Sequence, residues 1–389
     1  VAISCGVHRI GTVHIAADGD SLGSQHTTTG MDPRIREHAE TIVEHSVDIQ
    51  EGDRVVIQLP NEAEDLAVAL HECCGERGAM PVYVANSQRA SRAYLRAGDD
   101  EYETPEHKQA LVEQTDVFIV ARGGANVSET SDIPPKTNAA YRRALKPIQE
   151  ERLSKRWCLT QFPTSGHAQL AGMSTEAYEN FVWDAVSLDW KAQREFQAEM
   201  VERLDDAAEV RIVAGNETDL TFSIAGNRTL NDYGEKNLPG GEVFTAPVAD
   251  SVEGSVYFDI PLYRQGRKIE DVRLVFENGD VVEHSAESGK ELLSEILNTD
   301  DGARRIGEFG VGMNRAIDQV TYNMLFDEKM GDTIHLAVGS AYEETVGEDN
   351  ERNESAEHVD MIVDMSEDSR IELDGEVVQE NGTFVFEDE

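Results

Sequence analysis

Residues 326–360 read FDEKMGDTIHLAVGSAYEETVGEDNERNESAEHVD and hold two of the chain's 11 histidines, His335 and His358. From Thr333 to Gly339, Ile334, Leu336 and Val338 alternate with Thr333, His335 and Ala337. A period of two predicts a β-strand that carries its large apolar side chains on one face. His335 falls on the other face, among small neighbours with room for an ion. In EHVDMIVDM, His358 and Asp360 share one strand face, and Val359, Met361 and Val363 share the opposite one. An imidazole and a carboxylate that converge in this way can hold one cation. A lone histidine is more often structural, so this pattern needs support from elsewhere in the chain.

Two glutamates upstream have unusual surroundings. Glu242, in NLPGGEVFTAP, opens an apolar strand directly after a glycine pair. A carboxylate there is costly to bury unless something pairs it. Glu308, in IGEFGVGMN, is flanked by glycines that allow close backbone approach around a charged group. Taken singly, either also reads as an exposed loop residue.

The wider pattern predicts an α/β protein of two domains. From Met31 to about Ser187, helical stretches alternate with short apolar runs at Arg54–Leu59, Pro81–Val84, Val117–Val120 and Trp157–Thr160. Runs apolar on both faces, separated by helices, imply an open α/β domain with a mostly parallel sheet. A single long helix is expected from Thr175 to Ala207, crossing a boundary near residue 190. From Glu209 the period turns to two, and Asn278-Gly279 marks a hairpin. Residues 191–389 are expected to form a catalytic α+β domain with an antiparallel, partly barrel-like sheet.

Residues 1–30 stand apart. They carry only Asp18 and Asp20 as acids, show no period, and end in HTTTG. They read as an extension ahead of a true start at Met31, or as a disordered segment.

Composition narrows the function. The 76 acids against 34 bases give a net charge of −42, spread along the chain, and arginine outnumbers lysine by more than two to one. Hydrophobic periodicity recurs, which argues against disorder. The charge reads as adaptation to molar salt, where the Debye length falls to about 3 Å and self-repulsion is screened. Such a surface lacks the basic footprint needed for nucleic acid. Cys5, Cys73, Cys74 and Cys158 contain no Cys-x-x-Cys pair and read as reduced thiols of a cytoplasmic protein. No apolar run is long enough to cross a membrane. Gly123-Gly124 follows a strand, but no dinucleotide or P-loop fingerprint accompanies it. His167, in FPTSGHAQLAGMS, reads as a loop or helix-start residue.

NLPGGEVFTAP, IGEFGVGMN, LFDEKMGDTIHLAVGSAY and HVDMI, in this order, resemble the aminopeptidase T / aminopeptidase S family of metallo-aminopeptidases. RWCLTQFPTSGHAQLAGMSTEAY is similar to the stretch that precedes that family's catalytic domain. The likeness runs from Met31 to the C-terminus. It implies two divalent metal ions (zinc, cobalt or manganese by ligand type) held by Glu242, Glu308, His335, His358 and Asp360, with Tyr342 reaching into the site. It implies a homodimer whose active sites face an enclosed cavity, acting on peptides with a free N-terminus. Two such ions can share a bridging carboxylate, here Glu308, and a bridging water that attacks the peptide carbonyl. Tyr342 is then placed to hydrogen-bond the developing oxyanion or leaving amine. Glu328, in FDEK, lies in a family motif without an assigned role. A dipeptidase on the same site and a non-catalytic binding protein on the same fold are the alternatives.

Overall fold

The computed structural model describes residues 30–387 apart from Gln265, so the expectation for residues 1–30 lies outside the described residues save for Gly30. The four apolar runs of the first half form strands β1 (Arg54–Pro60), β2 (Met80–Asn86), β3 (Val117–Arg122) and β4 (Arg156–Gln161). They pair in parallel in the order β2-β1-β3-β4. Val55, Val56, Ile57 and Leu59 of β1 are all buried, as expected of an interior strand covered on both faces. The helices of this half are α1 (Pro33–Thr41), α2 (Glu64–Glu76), α3 (Gln88–Ala97), α4 (Glu106–Glu113), α5 (Pro135–Leu153) and α6 (Ser165–Leu170).

The long helix expected from Thr175 to Ala207 is two helices, α7 (Thr175–Val186) and α8 (Trp190–Asp206). Asp189 breaks it. Its carboxylate accepts from the backbone N–H groups of Lys191 and Ala192, both at 3.1 Å, and so caps a new helix. The Trp190 indole N–H donates to the Val186 carbonyl across the break (3.1 Å). Local side-chain capping outweighs a periodicity that runs through the junction.

The later strands divide into two antiparallel sheets. One has eight strands: β5 (Glu209–Ala214), β6 (Thr218–Ser223), β10 (Glu253–Phe258), β13 (Val272–Glu277), β14 (Asp280–Ser285), β18 (Ser369–Leu373), β19 (Glu376–Glu380) and β20 (Thr383–Phe384). Asn278 and Gly279 join β13 to β14 with φ of +52° and +82°, the left-handed pair that the Asn-Gly signal demands. The other sheet holds β7 (Leu230–Asp232), β9 (Glu242–Thr245), β15 (Ile306–Gly312), β16 (Thr333–Gly339) and β17 (His358–Asp364), in the order β17-β16-β15-β9-β7. Between β7 and β9, β8 (Asn237–Leu238) leaves to join β4 in the parallel sheet. A β11 (Leu262–Arg264) and β12 (Arg267–Ile269) hairpin and helices α9 (Lys290–Leu297) and α10 (Met324–Asp327) complete the fold.

The two antiparallel sheets share one core. Val243, Phe309, Val311, Ile334, Leu336, Val338, Val359, Met361 and Val363 face it from the five-stranded sheet. Val210, Ile212, Leu220, Phe222, Val256 and Leu274 face it from the other. The rings of Phe222 and Phe309 meet edge to face at 5.3 Å. Among the described residues, no helix is long and apolar enough to cross a membrane, and Cys73, Cys74 and Cys158 are buried free thiols.

Candidate metal centre

Strand parity gives the five-stranded sheet a second face opposite the core. Glu242 and Phe244 of β9, Glu308, Gly310 and Gly312 of β15, His335 and Ala337 of β16, and His358 and Asp360 of β17 project there. Cross-strand register makes this face a set of rows. Phe244, Gly310 and His335 form one, and Glu308, Ala337 and Asp360 another. Asp232 lies opposite Glu242 at the sheet's edge. The sequence alternation seen around His335 and His358 is therefore the feature that separates core from site.

The expected residues meet. His335 Nε2 lies 3.0 Å from Glu308 Oε1 and 3.3 Å from Glu242 Oε2. His358 Nε2 lies 3.5 Å from Asp360 Oδ1 and 3.7 Å from Glu308 Oε2. Its Nδ1–H donates to the Ser340 carbonyl (2.8 Å), because a carbonyl can only accept. That bond leaves Nε2 facing the carboxylates with its orientation fixed, as expected of a metal-binding imidazole. Donor atoms fall into two groups, Glu242–Glu308–His335 and Glu308–His358–Asp360, each within 4.8 Å, and Glu308 belongs to both. Tyr342 leans over them, its ring 5.1 Å from that of His358 and 5.8 Å from that of Phe244.

His335 can lie flat on the sheet because its row neighbour has no side chain. A Cβ on Gly310 would sit 2.0 Å from His335 Cε1 and 2.1 Å from Nε2. The glycine in GEFGVG is thus a cradle for the imidazole.

Two further groups, which local sequence rules did not flag, complete the charge balance. Lys329 is fully buried, with Nζ bonded to Glu328, 2.9 Å from Glu242 Oε1 and 3.7 Å from Asp232 Oδ2. The available signal was its place in FDEK in a lysine-poor chain. Asp232 had none, since the three-residue β7 is too short to show a period. His167 stands elsewhere: its Nδ1 lies 3.1 Å from Thr164 Oγ1.

Proton affinities follow from crowding. Burial opposes charge on His335, but the bond to Glu308 and the charges of Glu242, Glu308 and Asp360 outweigh it and hold its pKa at about 9. His358 is likewise held at about 10, with burial overcome by Asp360 and Glu308. Burial pushes Glu242, Glu308 and Glu328 above the usual carboxylate range, and Asp232 up to about 7. Asp360 goes the other way, to about 2, because His358 and His335 overcome its burial. Partial loss of solvent, with about half of the residue still exposed, and the nearby carboxylates raise the Tyr342 phenol above its usual value, so it keeps its proton at neutral pH.

These residues fit a cation on their own chemistry. Glu242 Oε2 and Glu308 Oε2 are buried and accept no hydrogen bond, and His335 Nδ1 is also without a partner. Buried polar atoms are nearly always satisfied, so aligned orphan carboxylate oxygens mark a place for a positive charge.

A model of the thermophilic metalloprotease (M29) family matches residues 31–388. This chain belongs to the M29 metalloproteases. It is therefore a metal-dependent hydrolase of peptide bonds, as the motif resemblance implied. Aminopeptidase AmpS of Bacillus subtilis is 30% identical over 418 residues, covering 91% of this chain and 98% of that one. Aminopeptidase T of Thermus aquaticus is 30% identical over 400 residues, covering 89% and 95%. The solved structure of wild-type AmpT from Thermus thermophilus superposes with a TM-score of 0.80 at 27% identity, covering 91% of this chain and 99% of that one. A 2,5-dihydroxypyridine dioxygenase from Pseudomonas putida gives a TM-score of 0.58 at 15% identity and shares the fold alone. Architecture does not fix the reaction, so the M29 assignment rests on the whole-length family match.

Proposed function

We propose that the chain is a metal-dependent aminopeptidase that removes the N-terminal residue of peptides, and that its metal centre holds two ions. The observation that carries this reading is the pair of donor groups joined at Glu308, with orphan carboxylate oxygens in each partner of His335. Glu242, Glu308, His335, His358 and Asp360 would hold the ions. Charge supports the count of two. Asp232, Glu242, Glu308, Glu328 and Asp360 against Lys329 leave four negative charges once the imidazoles are neutral, which two divalent cations would balance. Oxygen and imidazole donors suit zinc, cobalt or manganese.

Bound ions of this kind supply a nucleophilic water near neutral pH and polarise the scissile carbonyl. The chain's own groups do the rest. Glu308 and Tyr342 are the residues we assign to catalysis. The Tyr342 hydroxyl, kept protonated, donates to the oxygen that gains charge as the carbonyl is attacked. Lys329, itself fully buried, holds Glu242 and Glu328 in place by pairing with both. A cavity of about 430 Å³ opens on the site and is lined by Asp232, Glu235, Glu328, Phe244, Trp157 and Leu230 among others. Its carboxylates offer a seat for a free ammonium, and its apolar wall a seat for the adjoining side chain. That pairing favours cleavage next to an unblocked N-terminus.

The same reading takes the chain as two domains meeting near residue 190, paired as a homodimer, cytoplasmic, and stable only in molar salt. The test is stepwise hydrolysis of an unblocked pentapeptide in about 3 M KCl, a salt level set by screening. Release of successive N-terminal residues, abolished by N-acetylation, supports the reading. Cleavage of the acetylated peptide at an internal bond overturns it.

A further inference from the structure

Strand β17 continues past the metal donors. By parity its site face reads His358, Asp360, Ile362, and the register sets Ile362 beside His335. The row through His335 therefore runs Phe244, Gly310, His335, Ile362, with an apolar side chain at each end. Neighbouring strands lie about 4.8 Å apart, so the two ends are about 14 Å apart. Phe244 lines the cavity of about 430 Å³ already described. Ile362 lines a second cavity, of about 230 Å³. His358 and Asp360 line both.

The second cavity is built unlike the first. Its apolar wall comes from Ile260, Leu262 and Tyr263 around the start of β11, from Tyr322 and Met324, and from Ile362. Ile260 bridges to Ile362 across the edge of β17, and the rings of Tyr263 and Tyr322 lie 6.3 Å apart. Arg264 is ion-paired with Glu357, the residue before His358, which ties this wall to the site strand. Asp327 is buried and accepts from the Thr321 N–H and hydroxyl (2.8 and 2.7 Å). Neither carboxylate is free to receive an ammonium. Tyr322 has a φ of +59°, where a bulky side chain is strained. It is held there by Lys268, whose ammonium donates to its hydroxyl (3.2 Å), and by the grip of Asp327 on Thr321. Backbone strain of this kind gathers at ligand sites.

We propose that this second cavity receives the side chain of the peptide's second residue, and that Tyr322, Ile260 and Ile362 make the enzyme prefer a large apolar or aromatic side chain there. The proposal rests on the aminopeptidase reading above. The carboxylates that can seat the free ammonium line the first cavity, so the first residue lies on the Phe244 side. The chain then crosses the donors of Glu308, His358 and Asp360, and its second residue arrives on the Ile362 side. Consecutive side chains of an extended chain point opposite ways, which suits two cavities on either side of one cleft. The volume is below the roughly 300 Å³ at which sites for whole drug-sized ligands begin, and suits a single side chain. Its lining is apolar, with its charges already paired, so a charged second residue would lose its water without gaining a partner.

The test varies the second residue alone, with zinc-loaded protein in about 3 M KCl. Wild-type kcat/KM is expected to be at least about tenfold higher for Leu-Phe-Gly than for Leu-Gly-Gly or Leu-Asp-Gly, the lower end of what burying one large apolar side chain gives. Tyr322→Gly removes the ring without straining the backbone, and Ile260→Phe fills the cavity. Each is expected to cut that ratio at least about fivefold. The preference between leucine and alanine as first residue is expected to stay as in wild type, which general damage to the fold would not explain. Binding gives a readout apart from turnover: pseudodipeptides with CH2–NH in place of the peptide bond cannot be hydrolysed. By calorimetry the Leu-Phe analogue is expected to bind wild-type protein at least about tenfold tighter than the Leu-Gly analogue. Failure to release any N-terminal residue overturns the aminopeptidase reading and this proposal with it. Release at equal rates whatever the second residue, equal binding of the two analogues, or a wild-type ratio in both variants overturns this proposal alone.

Discussion

Gly310→Ala isolates the support of a single imidazole. The backbone at Gly310 is not left-handed, so alanine is strained by space alone. Its methyl would stand 2.0 Å from His335 Cε1. A relaxed carbon contact needs about 3.5 Å, so the ring must retreat by about 1.5 Å. The strand cannot follow, because Ile334 and Leu336 are fully buried in the core on its other side. Overpacking of this kind costs about 1–3 kcal/mol of stability. A ligand or reacting group displaced by about 1 Å costs on the order of 10²-fold. We therefore expect Gly310→Ala to lower zinc affinity by about 10²-fold in calorimetric titration, with a matching loss of kcat/KM. Gly75→Ala is the control: nothing lies within 4 Å of a Cβ there, in the last turn of α2. Wild-type zinc affinity in Gly310→Ala would refute the cradle and, with it, the orientation assigned to His335.

Other expectations follow from the same geometry. Tyr342→Phe should lower kcat by about 10²–10³-fold with little change in KM, as for loss of one oxyanion donor; an unchanged kcat removes Tyr342 from the reaction. Without metal, His335 and His358 are held at about 9 and about 10, so both are protonated at neutral pH and a cation must displace those protons. Affinity should therefore rise as pH climbs toward 10 and fall with acid. Titration in buffers of different ionisation enthalpy should show proton release, and its absence contradicts the charge assignment. Lys329→Met leaves Glu242 and Glu328 buried without their cation, and should destabilise the metal-free protein by about 3–5 kcal/mol in denaturant titration. A variant as stable as wild type rules out Lys329 as the counter-charge.

Much of the site was legible because strand periodicity is a local property. Thr333 to Gly339 and His358 to Asp364 separate core from site by parity alone, and each parity is observed. The Asn-Gly hairpin was legible for the same reason. Glu242 and Glu308 were ambiguous by themselves, because the cost of burying a carboxylate is invisible until its partners are known. Lys329 and Asp232 escaped local rules. Lysine is almost always exposed, and only tertiary contacts reveal this one beneath two glutamates. The break between α7 and α8 was hidden because helical spacing continues through it while Asp189 caps. Assignment of β8 to the parallel sheet depends on a long-range pairing that two residues cannot announce.

The central claim is that hydrolysis depends on two ions held by groups joined at Glu308. Its most direct test is titration of zinc into chelator-stripped protein in about 3 M KCl, following bound metal and leucyl-anilide hydrolysis together. The account predicts saturation at two ions per chain with activity rising in step, and failure of both in Glu308→Gln. Full activity in the stripped protein, or binding and turnover that ignore Glu308→Gln, would contradict it.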